Sequence, residues 1–146
     1  MHWLPDWAWG IPLIVVTVIV QSFALFGARN RMIATVAKHY DEEAFSLVFG
    51  FAMGAVVLFA TFLLAVEAAF WAVVYVTIGA LPDFSRAMLY SLEAMTTFGH
   101  ADVYLTAHWQ FLGALEALNG VILIGLTTAF IFSVLRGAEL RWKERR

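Results

Sequence analysis

The chain has 146 residues, 62% of them hydrophobic and 14% charged, with a formal net charge of −2 and no cysteine. A soluble domain is about half apolar and about a quarter charged, so this balance points to lipid as the solvent. The missing cysteine excludes disulfides and thiolate metal sites, and the slightly acidic balance argues against a nucleic-acid partner.

The opening residues, MHWLPDWAWG, lack the cationic region that begins a secretory signal. Trp3, Trp7 and Trp9 suit interfacial anchors instead, because indole rings favour the headgroup level. An apolar run from Ile11 to Ala28 predicts a first spanning helix, with Pro12 tolerated in its first turn. RNRMIATVAKHYDEEAF follows as a polar connector, an interfacial helix or a loop.

Phe45 to Leu81 is one long apolar stretch without proline. As a helix it would extend about 54 Å, too long for one upright span and too short for two spans and a turn. It predicts one long helix, tilted or projecting from the bilayer. Glu67 is an acid inside it, a costly placement that predicts a hydrogen bond to a neighbouring helix. Gly50 and Gly54 fit a small-residue packing spacing.

Gly79 and Pro82 then break the pattern, and Ser85 to Met95 predicts a short helix of about three turns. Ala87, Met88, Leu89, Leu92 and Met95 make much of it apolar. The polar stretch TTFGHADV follows, and Trp109 to Leu135 predicts the last span before a cationic tail, RGAELRWKERR. No helix carries the spaced arginines of a voltage sensor, and no nucleophile–base arrangement suggests an enzyme.

Of nine Lys and Arg, five lie in the tail, three in the first connector, and only Arg86 lies between the second and third spans. The positive-inside rule places the connector and C-terminus in the cytoplasm, with the N-terminus and the 80–108 segment outside. The short helix and its polar loop therefore enter and leave from one face. That is a re-entrant segment or an outer loop.

Helix, short helix, TTFGHAD, helix resembles the pore module of the potassium-channel superfamily, whose loop reads T-V-G-Y-G-D. More narrowly, LPDFSRAMLYSLEAMTTFGHADV followed by WQFLGALEALNGVILIGLTTAFIFSVL is similar to small bacterial proteins of the two-helix ion-channel family, over residues 60–136. The resemblance implies an all-α homotetramer in a bacterial inner membrane, with lipid and its own copies as partners and no soluble partner or cofactor. It divides the chain into an N-terminal helix and connector (1–44), a pore module (45–136) and a tail (137–146). Potassium, or monovalent cations including sodium, would pass a filter of backbone carbonyls.

By the same resemblance, Thr97, Phe98, Gly99, His100 and Ala101 line that filter. Thr96, Glu93 and Asp102 support it, the two acids as a carboxyl–carboxylate pair. Three positions depart from the family pattern. Ala101 stands where a glycine with left-handed backbone is usual, which costs about 1–2 kcal/mol per copy. His100 stands where tyrosine is usual, and its free pKa near 6.5 makes it a candidate proton sensor. Phe98 is bulkier than the usual valine. Together they put potassium selectivity in question.

On the last helix Glu116, Asn119, Gly120, Leu123, Thr127, Phe130 and Val134 share one stripe. It would line and gate a cavity below the filter, with Gly120 as a hinge, or it is a helix-packing face. His100, Asp102 and His108 match no strong metal spacing, so no metal beyond the permeant ion is expected. Two other functions compete. One is a proton- or metal-coupled transporter using Glu67, Glu93 and Glu116. The other is a non-conducting scaffold or regulatory subunit.

Overall fold

A computed structural model describes residues 4–38, 45–99 and 102–143. Among the described residues the chain is all helical: α1 (Leu4–Lys38), α2 (Phe45–Thr77), the short α3 (Phe84–Met95), a single 3-10 turn (Ala107–Trp109) and α4 (Gln110–Lys143). Leu4–Thr35, Phe49–Thr77 and Ala107–Gly137 are each long and apolar enough to cross a membrane. The protein is an all-helical membrane protein built on these three helices.

Both outer boundaries of α1 differ from expectation. The helix starts at Leu4, so Pro12 sits in its interior rather than its first turn. It also continues past Ala28 through RNRMIATVAK, the first ten residues of the expected connector. Apolarity stops at Arg29 but helix propensity does not, since Arg, Met and Ala are good helix formers. The long second segment ends at Thr77, earlier than Leu81, because Gly79 takes φ +69 in a turn. There the Gly79 N–H bonds the Val76 carbonyl at 3.1 Å and the Ala80 N–H bonds Tyr75 at 2.8 Å. This is a Schellman closure, which satisfies the last carbonyls and needs a left-handed residue.

Polar pairs fix how α1 and α4 lie together. Asp6 Oδ1 accepts the Leu112 N–H at 2.9 Å, filling one of the orphan donors that open α4. Further along, Asn119 Nδ2 donates to Thr17 Oγ1 at 2.9 Å. Gln21 Nε2 donates to the Leu123 carbonyl and to Thr127 Oγ1, both at 2.8 Å. Arg29 Nε donates to Ser133 Oγ at 2.6 Å. Residue numbers rise together along both helices, so α1 and α4 run parallel.

Helix α2 runs the opposite way. Its start packs Val56 and Leu63 against Leu25 and Ile33 of α1 and Phe130 and Val134 of α4. Its end packs Trp71 and Tyr75 against Tyr90 and Met95 of α3 and Leu112 and Leu115 of α4. A Cβ on Gly50 or Gly54 would meet nothing within 4 Å among the described residues, so their spacing packs against no described helix of the chain.

The α1–α4 pairs carry a prediction. Interhelical hydrogen bonds in membranes average about 0.6 kcal/mol and reach about 1.7. Gln21→Leu is expected to destabilise the chain within that range in a detergent unfolding titration. A double-mutant cycle with Thr127→Val should show coupling, and additive losses would mean that the pair contributes nothing.

Candidate functional site

Helix α3 begins at Phe84, one residue before the expected start. Asp83 caps it by accepting the Arg86 N–H at 2.9 Å, with Pro82 just before, so the chain turns sharply out of α2. Ala87, Tyr90, Ser91, Ala94 and Met95 then face the core.

The exit of α3 is where chemistry concentrates. Thr97 N–H bonds the Ala94 carbonyl at 3.0 Å, and Phe98 N–H bonds Glu93 at 3.0 Å. This is the same Schellman closure that ends α2, with Thr97 where α2 has Gly79. Thr97 has φ +56 and is the non-glycine residue with positive φ among those described. A β-branched residue there is a genuine outlier, and backbone strain of this kind gathers at functional sites. Gly99 follows at φ +90, so left-handed backbone recurs on either side of Phe98. Thr96, Thr97, Phe98 and Gly99 are all exposed, Phe98 at 79%. Thr96 Oγ1 is turned back to donate to the Leu92 carbonyl at 2.6 Å.

Helix α4 supplies the seat for α3. A Cβ on Gly120 would overlap the backbone of Met95, the last helical residue of α3. A Cβ on Gly113 would meet the Tyr90 hydroxyl. Between the two glycines, Glu116 is fully buried and accepts the Tyr75 hydroxyl on Oε2 at 2.6 Å. Tyr75 in turn packs edge-on against Tyr90, with centroids 5.4 Å apart. Gly120 lies ten residues past Gln110, so α3 ends about 15 Å along the α4 axis from its start.

Several expectations change here. Glu116, Asn119, Leu123, Thr127, Phe130 and Val134 are buried inside the single chain. A residue lining a cavity between copies must be exposed on each copy, so this stripe is a packing face within the chain, turned to α1, α2 and α3. Gly120 makes close backbone contact with Met95. The exposed face of α4 instead carries Leu118, Val121, Ile122, Gly125, Thr128 and Phe132. Glu67 is buried with neither carboxyl oxygen hydrogen-bonded among the described groups, so the expected interhelical bond is not made.

Glu93 is half-buried on α3, and Asp102 is exposed. Asp102 borders an outward hollow of about 420 Å³ that it shares with Arg86, Leu81, Pro82, Tyr104 and Thr106. His108 stacks edge-on against Trp109 at 4.9 Å. His100 and Ala101 lie outside the described residues. No group of three metal-capable side chains exists among those described.

Asp6, Thr17, Gln21, Tyr75 and Ser91 join the buried network without any motif to mark them. The available signal was Thr17 and Gln21, two polar residues one turn apart in an apolar run, matched by Asn119 and Thr127. No family model, curated protein or solved structure matches the chain.

Proposed function

We propose that the protein is a tetrameric pore-loop cation channel, with residues 96–101 of four copies forming the filter. The observation that carries this reading is the turn after α3. It follows directly on Met95, whose backbone sits against Gly120 inside the Ala107–Gly137 stretch that is long and apolar enough to cross a membrane. Irregular backbone at membrane depth must be covered by protein or face a water-filled cavity. Four copies around an axis would meet that demand by turning the loops toward one another and toward water.

The strain at Thr97 supports the same reading. Glycine closes the matching turn after α2, so a threonine kept at φ +56 implies a use for its hydroxyl. In a filter, that hydroxyl and the carbonyls of Thr97, Phe98 and Gly99 replace part of an ion's hydration shell. The pore wall below would come from the exposed α4 face around Gly125 and Thr128. The N-terminus and filter mouth face outside and the cationic ends face the cytoplasm, as the positive-inside rule requires, in a plasma membrane. Potassium is the principal permeant ion, with sodium admitted to the extent that His100 and Ala101 weaken the outer sites.

Purified protein in liposomes tests this directly, with potassium, sodium and a large organic cation compared. Potassium and sodium flux down their gradients, with the organic cation excluded, is the expected result. Transport driven by a proton gradient against the cation gradient would replace the channel with a coupled transporter. Silence under every gradient would leave a scaffold. Ala101→Gly is expected to raise the potassium-to-sodium permeability ratio, and an unchanged ratio would show that Ala101 does not limit selectivity.

A further inference from the structure

Three helices meet at Glu116, and its surroundings leave an unfilled hydrogen bond. Tyr75 of α2 donates to Oε2, while Oε1 is buried without a partner. Ser91 of α3 is fully buried beside Glu116, and its Oγ has no partner either. Tyr90 of α3 stands near the same carboxyl, and Asp6 of α1 stands near Tyr75. Asp6 spends Oδ1 on the Leu112 N–H and leaves Oδ2 unpartnered. No described lysine or arginine pairs with Glu116. A lone carboxylate buried without a cation is strongly disfavoured, and a neutral acid needs an acceptor for its proton.

We propose that Glu116 is a positioning residue for the filter, a neutral carboxylic acid that accepts from Tyr75 on Oε2 and donates from Oε1 to Ser91. That second bond would satisfy Glu116 Oε1 and Ser91 Oγ together. Ser91 stands six residues before Thr97 on α3, one turn and a half from the strained turn. The bond therefore fixes the rotation and depth of α3 against α4 from behind, while Gly113 and Gly120 permit the close approach. Glu116 touches no ion. It sets where the carbonyls of Thr97 to Gly99 stand.

The pore role rests on the channel reading, but the clamp has its own readout. Amide hydrogen exchange over residues 84–99 in lipid nanodiscs reports the seating of α3, and the potassium-to-sodium permeability ratio in liposomes reports the filter. Glu116→Gln keeps an acceptor for Tyr75 and a donor for Ser91, so both readouts should stay near wild type. Ser91→Ala and Tyr75→Phe each remove a single oxygen and should speed exchange about fivefold, as loss of one hydrogen bond does. Each should also lower the ratio. Glu116→Leu should do both more strongly.

Unchanged exchange in Ser91→Ala and Tyr75→Phe would overturn the clamp. Glu116→Gln behaving as badly as Glu116→Leu would overturn the neutral acid. Altered exchange in a protein whose wild type passes no cation would uphold the clamp and sink the channel.

Discussion

Gly120→Ala is expected to destabilise the folded chain by about 1–3 kcal/mol, the range for overpacking a close contact, and to abolish cation flux. The added methyl would strike the Met95 backbone, not a side chain that could rotate aside. The only relief is to lift the end of α3 off α4, which displaces the turn at Thr97 directly. Gly125→Ala is the control, since nothing lies within 4 Å of Gly125. It should be neutral or slightly stabilising in dispersed protein, by up to about 1 kcal/mol, as alanine replaces glycine in a helix. Equal stability of the two variants in a detergent unfolding titration would show that α3 does not sit where the structure puts it.

Thr97→Gly is expected to move stability and function in opposite directions. A non-glycine residue in left-handed backbone is strained by roughly 1–3 kcal/mol. Glycine in its place adds chain entropy to the unfolded state, worth about 0.5–1 kcal/mol. The net expectation is a gain of about 1 kcal/mol in stability, accompanied by loss of potassium preference as the hydroxyl disappears. Gly79→Thr makes the reciprocal change in the matching turn of α2 and should lose a similar amount without touching selectivity. If Thr97→Gly left the permeability ratio intact, the threonine would be an accident of the turn. Its hydroxyl would then have no part in conduction.

These two residues also show where the sequence was informative. The three long helices were legible from hydropathy, and α3 from the break at Gly79 and Pro82 and the apolar residues after it. The ends were not. Apolarity marked the edge of the lipid-facing sequence at Ala28, whereas the hydrogen-bonded helix continued through Arg29 and Arg31 to Lys38. The α4 stripe was legible as a stripe, but its periodicity is the same whether it faces water or α1. Only the partner decides, and that partner, α1, lies about a hundred residues away in the chain. Tyr75 and Ser91 carry no local signal at all, because a tyrosine or serine in an apolar helix reads alike whether or not an acid faces it. The resemblance places Thr97 in the filter, but its left-handed backbone became visible only in the structure.

The parallel pairing of α1 with α4 has a consequence for how the protein is made. Thr17, Gln21 and Asp6 find their partners at Asn119, Leu123, Thr127 and Leu112, all in the last helix. At about 5–20 residues per second, translation leaves roughly 5–20 s between the appearance of the two sets. Through that interval the Asp6 carboxyl and the Gln21 amide wait without their final partners, while Thr17 already donates to the Leu13 carbonyl of its own helix. A chain that ends before residue 110 lacks the α4 partners that Asp6 and Gln21 have in the folded protein, so the first helix reaches its final polar contacts only when the last one is made.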